Sequence, residues 1–415
     1  MNFYKNIFSI RNENNHKIIK IFGFKLKIRR PLSAEIISRL DDINFAITNL
    51  YIKTNILQNE HKPYLSEDFF DLPIHPYNRC YLDTKISYIN YLFKNLKGSF
   101  DNKAEIEDSP DFFYTCGIFP NSNNTNIIIN SLKYGKQAYI MEDCFLRSIF
   151  SVSYTHAPQK YKKSIGFTID DLTSYYDANF PSRLEQMLND KDLLISDPNK
   201  ERAKKCIRKI VDTHLTKYNN QPIYTPDFRI NGRKKILVVD QSYGDASILR
   251  GWGSEKIFRE MLEKAIAENP DADIIVKTHP DTISGTRGGY YSNITSHDNI
   301  YAMKKPINPI SLLKAVDKVY VCTTQLGFEA LMCGKEVHVF GMPFYAGWGL
   351  THDRKKCKRR TTTRTLEEIF YIAYIMYSHY VNPDKQCRCE IEEAMDYLLK
   401  LRDEYFNLRN DDKQI

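Results

Sequence analysis

The sequence runs to 415 residues, 42% hydrophobic and 13% aromatic. That is enough apolar mass for two ordinary domains, and it excludes a disordered chain. The net charge of +8 is concentrated at one end: residues 1–31 hold eight basic side chains against Glu13, a local excess of +7. The main body is therefore close to neutral, which argues against a nucleic-acid surface there.

No run of about 18 apolar residues occurs, so no membrane-spanning helix is expected. The charged N-terminus lacks the apolar stretch of a secretory signal. Nine cysteines, odd in number and without a C-x-x-C pair, read as reduced cytoplasmic thiols with no disulfide framework. Cys387 and Cys389 are too isolated to make a zinc site.

Taken in order, the first segment alternates with period two. Phe22, Phe24, Leu26 and Ile28 fall on one face and Lys25, Lys27 and Arg29 on the other, as in a strand paired with 16–22. This is either a small sheet packed on the body or a basic surface laid against anionic headgroups. Residues 34–60 contain neither Gly nor Pro and predict a helix. Strands are predicted at 111–118 and 137–141 around a helix at 123–134, and charged helical sequence covers 185–218. The stretch 219–232, rich in Pro, Asn and Gly, reads as a linker.

The second half is clearer. Strands are predicted at 235–240, 273–277, 318–322 and 336–340, alternating with helices at 254–268 (Ser254 as N-cap), 310–316 and 326–333, the last closed by Gly334. The tail, 365–406, reads as two helices. Alternating strands and helices predict parallel α/β sheets, whose ligands bind beyond the carboxyl ends of the strands.

Polar clusters stand at those ends: 142–148, 240–247, 277–281 and 323–329. Thr323 and Thr324 open a helix, where hydroxyls and unpaired N–H groups suit a phosphate as well as they suit an ordinary cap. Lys277 and His279 can neutralise a leaving phosphate without a metal. No Asp-x-Asp stands at a strand end in this half, so no metal site is expected. Asp245, after Gly244, is a candidate base or nucleophile, although a turn or capping Asp has the same spacing. Asp240 is its nearest rival and can instead brace the loop. Glu142 and Asp143 form a further acidic pair.

In order and wording, EDCFLRS (142–148), SIGFTIDDLTSYYDANFPSRLEQML (164–188), VVDQSYGDASI (238–248), KTHPD (277–281) and TTQLGFEALMCGKEVHVFGMPFYAGWGLTHDR (323–354) resemble the capsule polysaccharide β-Kdo transferases. The likeness covers residues 111–355. The opening 24 residues from Ile7 are also similar to the start of many bacterial surface-polysaccharide glycosyltransferases. The family often carries two such modules in tandem, and this sequence holds one. Cys144 stands where the family usually has Gly.

The resemblance implies two Rossmann-like lobes of the GT-B kind, with a basic N-terminal extension (1–60), an acceptor lobe (61–228), a CMP-sugar lobe (229–355) and C-terminal helices (356–415). It implies a retaining glycosyltransferase that moves Kdo from CMP-Kdo to a glycolipid or oligosaccharide acceptor in capsule polysaccharide biosynthesis and transport. No cofactor or metal is expected. By position, Asp245 matches the family's nucleophile, and His279 with Thr323, Thr324 and Gln325 its CMP-binding elements. Glu329 sits where such enzymes grip a ribose, while Glu142 and Arg147 match an acidic and a basic residue lining the cleft. Gln241 and Lys277 join the nucleotide-binding set. Kdo bears a carboxylate on its anomeric carbon, so a basic residue is expected nearby.

Expected partners are the nucleotide sugar, the acceptor, the membrane surface through the N-terminal segment, and capsule assembly or export proteins. Nucleic acid is not expected. The expected location is the cytoplasm, on the inner face of the membrane. Three alternatives stay open: a transferase for another CMP-linked ulosonic acid such as a sialic acid, a non-catalytic polysaccharide export factor, and a sugar-nucleotide epimerase of the same fold.

Overall fold

The computed structural model describes residues 8–13, 16–21, 24–29, 34–59, 61–62, 64–65, 67–71, 76–77, 87–94, 112–118, 122–154, 156–228, 232–283, 285, 287–296 and 298–411. Phe22 of the alternating segment and the linker residues 229–231 lie outside them. The chain divides into two compact units, one of residues 1–142 with 168–174 and one of 143–167 with 175–415.

The first unit opens with a three-stranded antiparallel sheet, Phe8–Glu13, His16–Ile21 and Phe24–Arg29. The period-two pattern foretells the pairing of the second and third strands; the first, FSIRNE, alternates only over Phe8–Arg11, too short a run to be read. A 26-residue helix follows, Ala34–Asn59. It buries a stripe at helical spacing, from Leu40 through Asn44, Thr48, Tyr51, Ile52, Asn55 and Ile56 to Asn59. Half of that stripe is polar: Thr48 donates to the Asn44 carbonyl and Asn59 to Asn55, while the Asn44 side-chain oxygen is buried without a hydrogen-bond partner among the described residues. The Tyr51 hydroxyl donates to the Ala138 carbonyl, and Asn55 donates to the Asp171 carbonyl. Beneath it the strands Pro76–Tyr77, Phe112–Cys116 and Ala138–Asp143 run parallel, flanked by the helix Ser122–Tyr134. Cys116 is disulfide-bonded. This corrects the expectation of nine reduced thiols, because spacing along a sequence does not tell which cysteines the fold brings together.

The second unit is built on a six-stranded parallel sheet, whose strands are numbered here in chain order: β1 (Lys235–Val239), β2 (Asp273–Lys277), β3 (Ile300–Met303), β4 (Lys318–Val321), β5 (Glu336–Val339) and β6 (His352–Asp353). The spatial order is β3-β2-β1-β4-β5-β6. This is the doubly wound order in which the chain reverses its direction of winding between β1 and β4. Ile236 to Val239 are all buried, as strands covered on both faces require. The helix Glu255–Glu268 starts at an N-cap, Ser254, and lays Phe258, Met261 and Ala265 on Ile236, Val238, Ile274 and Val276.

The short strands β3 and β6 are not evident in the sequence, since four and two residues carry no usable periodicity. The tail also needs correction. Between the helix Leu366–Phe370, extended by a π-helical turn to Met376, and the helix Ile391–Asp411 stands a hairpin, Ser378–Asn382 with Cys387–Cys389. The tail is therefore not helices alone. The Asn-Pro-Asp turn and the three-residue return strand are too short to break the surrounding helical pattern.

Candidate active site

At the switch point the loops after β1 and β4 are tied to each other. Gln241 is buried, and its Nε2 donates to Thr323 Oγ1 at 3.0 Å while its Oε1 accepts from the Thr323 amide at 2.9 Å. Ser247 Oγ lies 3.3 Å from the same threonine hydroxyl. The backbone here permits no side chain at two glycines: a Cβ on Gly251 or on Gly341 would fall 2.7 or 2.5 Å from Thr323 Cγ2. Thr323 is therefore clamped from four sides. Its hydroxyl is spent on holding the β1 and β4 loops together, and Thr324 is the more exposed member of the pair.

Asp245 stands on the same loop, after Gly244, whose φ of +77° turns the chain outward. Asp245 is the N-cap of the helix Ala246–Arg250, and its Oδ1 accepts from the Ser247 amide at 2.9 Å. The capping role and solvent exposure coexist in this one carboxylate, since the side chain is exposed and one oxygen is spent on the cap. Asp240, at the end of the strand, is wholly different. It is 1% exposed, and its Oδ1 accepts from the amides of Gln241, Tyr290 and Tyr291. Burial, opposed by those hydrogen bonds, raises its pKa to about 6. Asp240 braces the loop 289–291 against β1.

His279, after β2, joins this edge through Ser242: its Nδ1 lies 2.8 Å from Ser242 Oγ. Lys277 is half-buried and donates to the carbonyls of Thr278 and Lys305, and burial lowers its pKa to about 8. Three loops of the carboxyl edge, after β1, β2 and β4, thus present Asp245, His279, Lys277, Gln241 and the Thr323–Thr324 turn.

Four further residues of the sequence reading have surroundings of their own. Arg147 is 1% exposed. Its guanidinium donates to Asp143 Oδ2 at 2.6 Å, Ser148 Oγ at 2.7 Å and the carbonyls of Lys162 and Phe150. Gln325 donates to the Phe145 carbonyl at 2.9 Å and lies 3.3 Å from Glu329. Glu329 is buried and accepts from the Thr216 hydroxyl at 2.5 Å. Glu142 is the penultimate residue of the strand Ala138–Asp143 and is half-exposed.

Burial raises Glu329 to about 7. The sign of the resulting pH dependence follows. Between about 4.5 and 7 the unfolded chain loses this proton while the folded chain keeps it, so stability falls as pH rises through that window. Replacing Glu329 by Gln removes the effect. The variant is expected to gain on the order of 3 kcal/mol relative to the parent between pH 5 and pH 8, read by urea unfolding at both. Parallel pH profiles for the two proteins would refute the assignment.

Sequence reasoning passed over Ser242 and Ser247, which connect the candidate residues, and the pair Arg250–Asp177. Arg250 is 1% exposed with Asp177 Oδ2 at 3.5 Å, and Trp252, at φ +61°, donates from Nε1 to Asn179 Oδ1 at 3.0 Å. Both partners lie in the quoted run 164–188, so the signal was present as a motif without a contact. The tryptophan-bearing string is a packing element. Trp348 is fully buried and donates to the Phe344 carbonyl, while Arg360 covers its ring at 5.4 Å. Cys144 is accommodated by Gly166, where a Cβ would meet the sulfur at 2.1 Å.

Residues 195–384 match the family model described as capsule polysaccharide biosynthesis protein. The capsule polysaccharide modification protein LipA of Neisseria meningitidis serogroup B is 37% identical over 280 residues, 65% of this chain and 39% of LipA. The lipopolysaccharide-processing protein LpsZ of Rhizobium meliloti is 36% identical over 61% of this chain and 57% of its own length. The chain thus spans well under two thirds of these curated relatives. Two solved structures from Thermosulfurimonas dismutans KpsC are similar over 79% of this chain. The β-Kdo 2,4 transferase has a TM-score of 0.70 and 31% identity with 98% of it covered, and the β-Kdo 2,7 transferase 0.56 and 28% with 99% covered. The fold is accordingly GT-B-like. The 31% identity to the β-Kdo 2,4 transferase over 98% of its length agrees with the matched family model: the chain belongs to the capsule polysaccharide β-Kdo transferase family.

Proposed function

We propose that this protein is a retaining glycosyltransferase that moves Kdo from CMP-Kdo to a capsule or surface glycolipid or oligosaccharide. The observation that carries the reading is the carboxyl edge of β1, β2 and β4, where an exposed carboxylate, an imidazole and a half-buried ammonium stand around the switch point of a β-Kdo-transferase fold. In this reading an Asp245 oxygen attacks the anomeric carbon of Kdo as its bond to the CMP phosphate breaks. His279 and Lys277 take up the phosphate's charge. A deprotonated acceptor hydroxyl then displaces Asp245, so two inversions give retention. Glu142 is our candidate for the base on that hydroxyl, by family resemblance. Gln241 and Thr323 act by holding the two loops in register, and the nucleotide contacts fall to Thr324 and its neighbours.

The test is product analysis with purified protein, CMP-Kdo and a Kdo-terminated lipid acceptor, with CMP-sialic acid as the competing donor. The higher likeness to the 2,4 transferase makes that linkage the first to assay. Release of CMP with no transferred Kdo, or transfer from CMP-sialic acid alone, would overturn the reading. The same assay in excess EDTA is expected to show full turnover, because no step calls on a metal; a strict need for Mg²⁺ or Mn²⁺ would refute that.

We further propose that the protein works at the inner face of the cytoplasmic membrane, held by the basic N-terminal sheet. No helix among the described residues is long and apolar enough to cross a membrane, so attachment falls to the surface charge. Each basic residue near an anionic surface contributes about 1 kcal/mol. Deleting residues 1–31 is expected to abolish binding to phosphatidylserine vesicles and leave turnover of a soluble acceptor nearly intact. Unchanged vesicle binding would show instead that the sheet is a packing element.

A further inference from the structure

The sheet edge beyond the switch point carries a group of side chains that the transfer chemistry does not use. Glu336 and His338 alternate on β5, and His352 of β6 is the cross-strand partner of His338, so all three rise from one face. One donor atom from each lies within 4.8 Å of the others. His338 Nε2 is 2.7 Å from Glu336 Oε1, and His352 Nε2 is 3.6 Å from the same oxygen. Glu268, at the end of the helix that covers this face, lies 3.9 Å from the other ring nitrogen of His338, and the Tyr320 hydroxyl donates to Glu268 at 2.8 Å. Lys318 Nζ, 3.0 Å from Glu336 Oε1, is the cation that now neutralises the carboxylate.

We propose that Glu336, His338 and His352 form a structural site for a divalent transition metal of the zinc class. Two imidazole nitrogens and one carboxylate oxygen are a donor set that suits zinc, whereas magnesium and calcium call for oxygen shells. Ligands about 2.0–2.2 Å from a tetrahedral ion stand roughly 3.4 Å apart. The His352–Glu336 spacing is already near that, and the His338–Glu336 pair needs to open by less than an ångström. His352, 64% exposed, has room to turn its ring toward the ion, and Lys318, on a flexible stem, can yield the carboxylate oxygen. Glu268 Oε2, 3.9 Å from Nδ1, is beyond hydrogen-bond reach and needs to close by about an ångström to orient His338 with Nε2 toward the ion, as an outer carboxylate commonly does for a metal-binding imidazole. Water completes the shell. The ion ties β5 to the two-residue edge strand β6, and so closes the loop 340–351 that holds Trp348.

Titration of Zn²⁺ into the chelator-treated full chain near neutral pH, followed calorimetrically and with Co²⁺ as a spectroscopic stand-in, tests the site. One equivalent is expected to bind and to raise the melting temperature. His352→Gln, at an exposed position that should leave the fold intact, and His338→Gln are each expected to weaken binding about 100-fold or more. Glu268→Gln, which touches no metal, should weaken it about 10–100-fold. Absence of a saturable single site, or unchanged affinity in His352→Gln and His338→Gln, would overturn the proposal. Neither result depends on whether the chain transfers Kdo.

Discussion

Asp245→Asn is expected to lower turnover by about three orders of magnitude or more, a loss of roughly 4 kcal/mol of transition-state stabilisation, while CMP affinity stays within a few-fold of the parent. The substitution is informative because of where the structure puts the residue. Asp245 caps the helix Ala246–Arg250 through Oδ1. Asn is as good an N-cap as Asp and keeps that oxygen, so the loop and the helix should survive. What is removed is the charge that makes the carboxylate a nucleophile. Asp245→Ala would lose the cap as well, at about 1 kcal/mol, and would mix a folding effect with a chemical one. Intact-protein mass spectrometry with CMP-Kdo and no acceptor should show one added Kdo on the parent, mapped to the peptide that holds Asp245, and none on the Asn variant. Near-normal turnover of Asp245→Asn, or an adduct elsewhere, would end the assignment. Asp240→Asn is the informative comparison. Asp240 is buried and engaged by three amides, so its replacement should lower stability and raise no question of an adduct.

Arg147→Ala is expected to destabilise the second unit by about 3–5 kcal/mol, the usual cost of breaking a buried ion pair. The guanidinium has four partners within the chain, and its removal strands the Asp143 carboxylate and the carbonyls of Phe150 and Lys162. Arg147→Lys should recover only part of the loss, because an ammonium cannot reproduce the planar fork that serves Asp143 and Ser148 together. Urea unfolding without any ligand measures both. If Arg147 instead bound the Kdo carboxylate, both variants would unfold like the parent and the effect would appear as a raised KM for the donor. The structure favours the first outcome, since little of this side chain is open to solvent.

Much of the fold was legible because its signals are local. The short run ILVV, half of it β-branched valine and flanked by polar residues, has the length and composition of a strand buried on both faces, and Ser254 followed by EKIF is a helix-opening signal. The polar runs 240–247, 277–281 and 323–329 were legible as strand ends for the same reason, and the family was legible because several such runs occur in one order. Which residues meet was not. That Gln241 bonds Thr323, or that His279 reaches Ser242, depends on β1 lying between β2 and β4, a pairing across as many as 82 residues. Whether a polar residue faces substrate or the interior depends on packing around it. The resemblance assigns Glu329 and Arg147 to the site, and in the folded chain each has partners of its own, buried Thr216 for one and half-buried Asp143 for the other. The sequence by itself determined most of the longer strands and helices, the family and the list of chemically able side chains, because periodicity, caps and motif order are written in neighbouring residues. Only the tertiary structure decided which of those side chains share an edge and which are spent in the core, because burial and hydrogen bonding are made by residues far apart along the chain.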